Sequence, residues 1–381
     1  MGKHRQIKVL ICPLNWGLGH ASRVTQVIKY LLEAGAEVVI AADGPPAALL
    51  QSFFPEVNHI HFKSCNVKYS VGNSQIFKIL FQFPCFMWRR FKDHERLKRI
   101  IGDNKIDLVI SDNRPGLWNN EAYTVYVTHQ VMVKLPGLLA VFERAVSFLH
   151  RNLEIRHYDE CWIPDVPGMP NLSGDLSHKY KIPKNASFIG LLSRFASSSN
   201  SAEDSNNTAA CNTDLLILLS GPEPQRTELE KILSHQVSRL PVQCTVIRGL
   251  PGESRMLSGF RNINSLNHTD DDTFRYLVAK SKYVICRAGY STLMDLVALE
   301  KKAIIVPTPG QTEQEYLAGY LSGSGMFLPV KQDEINLAEQ LVVLEKMNNR
   351  QVLDHLYFMP VEKIVQTIKK AALKAKKQNQ G

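Results

Sequence analysis

The chain lacks any window approaching the roughly 20 apolar residues of a membrane span, and its charged start, Met1 to Lys8, leads into an apolar run only as long as a strand. That excludes a spanning helix and argues against a secretory peptide, so a cytoplasmic protein is expected. Its seven cysteines are an odd number with no C-x-x-C pair, and Cys12, Cys161 and Cys286 lie in or beside apolar runs. A disulfide framework is therefore excluded, and these cysteines read as reduced core residues. No metal motif is present either: His59 and His61 are alternate residues of one predicted strand, and His4, His20 and His129 are far apart. No recognisable nucleic-acid-binding module occurs, so no nucleic-acid partner is expected.

What is there is an ordinary globular composition, 44% hydrophobic and 21% charged, over 381 residues, which is enough for two domains. The net charge of +9 is uneven. Residues 1–195 hold 24 Lys and Arg against 16 Asp and Glu, and the remainder 21 against 20. The front half thus carries nearly all the excess, which favours an anionic partner there.

Apolar runs predict strands at Ile7–Cys12, Glu37–Ala41, Asn58–Phe62, Leu108–Ser111, Thr124–Val127 and Glu160–Ile163, with helical patterns between them. After the polar run FASSSNSAEDSNNTAACN, from Phe195 to Asn212, the alternation resumes with Leu215–Leu219, Cys244–Ile247, Tyr283–Cys286 and Ala303–Val306. The expected class is α/β, two doubly wound Rossmann-like domains facing a central cleft. The expected boundaries are 1–195, a polar linker or loop at 196–212, a second domain at 213–358, and a C-terminal helix with a basic tail at 359–381, the helix either crossing back or fading into a frayed end.

The notable motifs fall at predicted strand ends, where open α/β sheets bind ligands. Cys286 runs through Arg287, Ala288 and Gly289 into the helical pattern of Tyr290, Ser291, Thr292, Leu293, Met294 and Asp295. Free amides of Tyr290, Ser291 and Thr292 at the positive end of a helix dipole suit an anion, and Gly289 lets a ligand approach. Arg287 adds a cation, and Asp295 a short acceptor for a ribose hydroxyl. The plainer reading is a helix capped by Ser291 or Thr292. After the first strand, Gly17, Gly19, His20 and Arg23 form G-x-G-H-x-x-R, which has neither the dinucleotide spacing nor a Walker lysine, so NAD and ATP are disfavoured. His20 suits general-base work, with a helix-capping role as the alternative. Arg23 reads as either a phosphate contact or a surface residue. Asp112, His129 and Gly221 sit at further strand ends. Ile76 to Ile101 mixes aromatic with basic residues, and Pro84 is expected to kink or interrupt it. It reads either as an anionic membrane contact or as aromatics packed on the first sheet.

The run CRAGYSTLMDLVALEKKAIIVPTPGQTEQEYLA resembles the donor-nucleotide region of the GT-B glycosyltransferases of family 28, the MurG-like group of UDP-N-acetylglucosaminyltransferase type, and the G-x-G-H loop is similar to that family's acceptor-side loop. The resemblance implies a GT-B fold and inverting, metal-independent transfer of an N-acetylglucosamine-like hexose from a UDP-linked donor to an unknown glycan or lipid-linked acceptor. No cofactor is implied. The Ile76 to Ile101 segment adds a peripheral place on the inner face of the membrane as the alternative to a free cytoplasmic one. It places the diphosphate on Gly289, Tyr290, Ser291 and Thr292. Asp295 stands where the family has a ribose-binding glutamate, and Gln314 matches the first of a sugar-binding glutamine pair. Its neighbour Glu315 and the loop residue Gly310 depart from the pattern. Ser220-Gly221-Pro222 resembles the second-domain glycine loop. The base would be His20, or alternatively Asp112 or His129. Rival readings are a PseG-like nucleotide-sugar hydrolase, a nucleotide-sugar 2-epimerase, and a binding protein that has lost turnover.

Overall fold

The computed structural model describes residues 5–63, 75–196, 213–254, 256–347 and 355–378. Its front lobe is a parallel sheet of β1 (Lys8–Pro13), β2 (Glu37–Ala42), β3 (Asn58–His61), β4 (Leu108–Asp112), β5 (Tyr123–Val127), β6 (Glu160–Ile163) and β7 (Ala186–Phe188). The spatial order is β3-β2-β1-β4-β5-β6-β7. Its helices are α1 (Gly19–Glu33), α2 (Gly44–Phe53), α3 (Gln75–Asn104), α4 (Glu143–Leu153) and α5 (Asp175–His178).

The rear lobe repeats the plan with β8 (Leu215–Leu218), β9 (Cys244–Ile247), β10 (Ile263–Leu266), β11 (Tyr283–Cys286), β12 (Ala303–Ile305) and β13 (Phe327–Pro329), in order β10-β9-β8-β11-β12-β13. Around it lie α6 (Gln225–Val237), α7 (Asp271–Lys280), α8 (Tyr290–Ala298), α9 (Thr312–Tyr320) and α10 (Leu337–Lys346), and α11 (Val361–Gln378) follows.

The central strands are buried along nearly their whole length, as parallel strands covered by helices on both faces must be, and they are the ones whose apolar runs predict them. In each sheet the first strand lies inside, and the order reverses between β1 and β4 and again between β8 and β11. Those two reversal points open the crevices where a ligand binds.

Several expectations need correction. β7, β10 and β13 are strands that the apolar runs do not announce; all are short and at a sheet edge, and β10, reading INSL, is half polar. Pro84 does not interrupt α3, whose 30 residues carry the helix on past the one backbone bond that a proline removes. The polar run at 197–212 lies outside the described residues, as do the side chains of Ile76–Met87 and of Arg89.

The chain crosses between lobes twice, and the crossings pair: the Leu191 amide donates to the Tyr357 carbonyl at 2.8 Å and the Met359 amide to the Leu191 carbonyl at 3.0 Å. Gly190 has φ +82, and a Cβ there would lie 2.8 Å from the Phe358 carbonyl carbon, so glycine permits this close approach. The basic end is not frayed. α11 returns to the front lobe, where Lys363 and Lys370 hold Glu160, the first of these at 2.9 Å, and Lys374 reaches Asp159 at 2.9 Å.

Burial works against the Glu160 charge, yet hydrogen bonds from Lys370, Lys363 and Trp162 outweigh it and bring the carboxyl down to about 2, from 4.5. A depressed carboxyl contributes stability above pH 4.5 that is lost as pH falls toward 2. Urea unfolding across that window should show the wild type losing on the order of 3 kcal/mol more than Glu160→Gln; parallel curves would refute the assignment.

Candidate active site

The loop after β1 and the end of β4 meet at the front lobe's reversal point. Arg23, one turn into α1, is fully buried, and its Nε lies 2.9 Å from both carboxylate oxygens of Asp112. It is therefore neither a phosphate contact nor a surface residue. Its Nη1 lies 3.2 Å from His129 Nδ1 and its Nη2 3.1 Å from His20 Nδ1, while Asp112 Oδ2 lies 3.2 Å from that same His20 nitrogen. The three candidate bases thus converge on one guanidinium. Burial opposes ionisation of Asp112, but Arg23 and then His20 hold its carboxyl below the usual range.

The hydrogen bonds separate their roles. Arginine can only donate, so Arg23 Nη1 donates to His129 Nδ1, and His129 Nε2 donates to Glu313 Oε1 at 2.7 Å. Burial, against the pull of Glu313, keeps His129 below the usual imidazole range; burial likewise opposes the Glu313 charge, but His129 outweighs it and the carboxyl stays low. A neutral ring that accepts from Arg23 on Nδ1 and donates from Nε2 satisfies both hydrogen bonds. Both its nitrogens are engaged. Asp112 is wholly buried, with its oxygens taken by Arg23 and His20. Only His20 keeps a ring nitrogen, Nε2, without a protein partner among the described residues, and its side chain is partly exposed.

Glu313 was not among the residues the sequence suggested. It sits in the first turn of α9 in the rear lobe, where an acid complements the helix dipole, a signal too general to single it out. It also accepts from Gln130 Nε2.

The rear lobe's reversal point holds the other motif. Gly289 precedes α8 with φ −80, and a Cβ on it would meet nothing nearer than 4.0 Å, so the space over the helix start is open. The first helix-end bond is from Leu293 to Gly289, and the amides of Tyr290, Ser291 and Thr292 have no partner among the described residues. Ser291 Oγ lies 3.3 Å from where a Gly19 Cβ would be, so α8 starts directly across from the front loop that carries His20. Gly19 therefore permits the lobes to approach each other. The Tyr290 side chain does the same: its ring stacks on His129 at 4.0 Å between centroids, and its hydroxyl donates to the Pro164 carbonyl at 2.8 Å. Gly17 and Gly221 have φ +95 and +100, left-handed conformations that favour glycine in both loops.

Other donor-side candidates have different work. Arg287 is buried and donates to the carbonyls of Gln225 at 2.7 Å and of Pro307 at 3.3 Å. It ties the loops after β11 and β12 to the start of α6 and does not present a cation to a phosphate, and burial brings it down to about 10. Asp295 is buried, accepting from Ser193 Oγ at 2.7 Å and Arg194 Nε at 3.1 Å, so it anchors the crossing segment and has no exposed face for a ribose. Gln314 Oε1 accepts from the Thr308 amide at 2.9 Å and Glu315 Oε1 from the Gly310 amide at 2.8 Å. Both side-chain oxygens shape the 308–310 turn, and Gln314 Nε2 has no partner among the described residues.

Residues 270–367 match the glycosyltransferase family 28 C-terminal domain. Over 339 residues the chain is 22% identical to a Methanosarcina acetivorans protein described as an uncharacterized glycosyltransferase, covering 84% of each. Among solved structures it is 14% identical to Acinetobacter baumannii MurG, covering 96% of this chain and 99% of that one, with a TM-score of 0.53. It is 13% identical to S. aureus MnaA in its UDP co-structure, covering 98% of each, with a TM-score of 0.58. Two parallel sheets that face each other through their strand ends are the GT-B fold, and the chain is a glycosyltransferase. The match to the family 28 C-terminal domain falls in its rear half, and its fold is similar to that of MurG.

Removing one member of a buried ion pair leaves the other uncompensated. Arg23→Met should therefore lower the unfolding free energy by about 3–5 kcal/mol in urea titrations, whereas the same change at exposed Arg144 should move it little.

Proposed function

We propose that the chain transfers a hexose from a nucleoside-diphosphate sugar, UDP-linked and N-acetylglucosamine-like, with inversion and without a metal, to a glycan or lipid-linked acceptor. The observation that carries this is that three helix-start amides without partners among the described residues lie across from the Gly19 loop that carries His20. The sugar class and nucleotide follow from the family resemblance; the UDP co-structure of a similarly folded protein supports the nucleotide.

In this reading Arg23 Nη2 donates to Asp112 Oδ1, which leaves His20 Nδ1 to carry its proton and donate to Asp112 Oδ2; that hydrogen bond holds the ring so that the Nε2 lone pair faces the acceptor hydroxyl. His20 Nε2 takes the hydroxyl proton as the acceptor oxygen forms its bond to the anomeric carbon. The bond from that carbon to the diphosphate oxygen breaks on the opposite face, which inverts the centre. The charge that builds on the leaving diphosphate meets the amides of Tyr290, Ser291 and Thr292 and the positive end of the α8 dipole. Arg287 contributes indirectly, by fixing the loops that frame this helix start. Gln314 Nε2 is positioned to donate to a sugar hydroxyl once its Oε1 is held by Thr308. With Asp295 committed to the crossing segment, ribose recognition falls to other groups of the rear lobe.

A panel of nucleotide-sugars tests the reading. His20→Ala should lower turnover by about 10²- to 10⁴-fold while the UDP-induced rise in thermal midpoint persists. Nucleotide release that needs no acceptor and accounts for all turnover would instead identify a hydrolase. Ser291→Asp places a carboxylate where the diphosphate should lie, so it should weaken UDP binding at least about tenfold without loss of fold; an unchanged midpoint shift would remove the anion from that helix start.

A further inference from the structure

Asp43 follows β2 and stands at the cap position of α2, yet its carboxylate makes no capping bond. The run Asp43-Gly44-Pro45-Pro46 is the reason. A capping side chain accepts from the second or third amide of the helix, and here both of those residues are prolines, which have no N–H. The carboxylate accepts instead, through Oδ1, from Asn15 Nδ2 of the loop after β1 at 3.2 Å. Gly44, with φ +59, permits that approach, since a Cβ on it would lie 2.8 Å from the same nitrogen. Asp43 is only 7% exposed, and its Oδ2 has neither a hydrogen bond nor an ion pair among the described residues. A carboxylate so enclosed needs more than one donor, and the missing ones point to a ligand.

The surroundings define that ligand. Asn15 and Asp43 lie at the carboxyl ends of the neighbouring strands β1 and β2, beside the reversal between β1 and β4. Trp16, next to Asn15, keeps 39% of its surface exposed. His20 is four residues further on, at most about 14 Å along the chain, so one molecule can reach both. With prolines in its first turn α2 lacks the amides that would hold a phosphate, and the carboxylate repels one. An ammonium group is opposed by the surplus of cations in residues 1–195, 24 against 16. A hydroxyl donates to Oδ2 and carries no charge, which meets both conditions. The indole of Trp16 adds a broad apolar surface of the kind on which the C–H face of a sugar ring packs.

We propose that Asp43 and Trp16, with Asn15 holding the carboxylate in place, form the subsite for an uncharged saccharide acceptor. One sugar hydroxyl donates to Asp43 Oδ2, and the ring lies against the Trp16 indole. The part of the acceptor that reaches His20 is thereby uncharged. Its standing as an acceptor rests on the transferase reading, whereas the saccharide site itself rests on these three residues.

Fluorine NMR of the full chain labelled with 5-fluorotryptophan tests the subsite: the four tryptophans give four lines, and Trp16→Phe assigns the one concerned. The probes are the methyl β-glycosides of glucose, galactose, mannose and N-acetylglucosamine, with pyrophosphate and glucosamine as charged controls. One or more glycosides should move the Trp16 line saturably, and the charged controls should leave it in place. Asp43→Ala should weaken that binding at least about tenfold, and Asp43→Asn less, because an amide oxygen still accepts. Trp16→Ala, at an exposed position that leaves the thermal midpoint unchanged, should weaken it comparably by titration calorimetry. A Trp16 line that no glycoside moves, one that pyrophosphate moves instead, or Asp43→Ala binding as tightly as the wild type overturns the proposal. The UDP-induced midpoint shift, read on the same samples, reports on the donor site. Glycoside binding without that shift supports the subsite and removes the transferase reading, whereas the shift without glycoside binding does the reverse.

Discussion

The guanidinium of Arg23, buried against the carboxylate of Asp112, organises everything around the cleft. Neither charge tolerates that environment alone. Once paired, Arg23 has a donor left for His129, and Asp112 keeps an oxygen beside His20 Nδ1. One ion pair thereby sorts three superficially equivalent candidates: a buried carboxylate, a neutral relay with both nitrogens engaged, and a histidine with one nitrogen open.

The same cluster senses the rear lobe. His129 is stacked on Tyr290 and bonded to Glu313, two rear-lobe residues that begin the helices flanking the donor region. The contacts that hold the lobes together therefore end at the groups that would hold and activate the substrates. Arg287 and Asp295 belong to this scaffolding as well, one binding loop carbonyls and the other the crossing segment. Burying them makes them positional, because a charge enclosed by protein partners has little left to offer a ligand.

The front lobe's outer side follows a different logic. Where α3 and α4 meet, polar groups face inward and satisfy backbone amides, and apolar groups face out. A helix wheel drawn from Glu143–Leu153 would place the apolar stripe against the sheet. The opposite orientation is set by partners at Val133, Leu135 and Lys181, none of which local periodicity reveals.

Much of the fold was legible because strands buried on both faces, such as LLIL and YVIC, are continuous apolar runs ended by turn residues. The glycine loops and the helix start at Tyr290 were legible for the same local reason: backbone conformation and free amides depend on a few consecutive residues. The short edge strands β7, β10 and β13 were not, since half-solvated strands need no apolar run. Local sequence does not separate Glu313 from its neighbours Gln314 and Glu315, nor does it reveal that Asp295 pairs with Ser193 and Arg194. By itself the sequence determined two α/β lobes and the loops at their strand ends. Only the tertiary structure decided which side chains those loops offer, because His129 and Glu313 lie 184 positions apart, and a contact across that distance depends on how two whole sheets are placed.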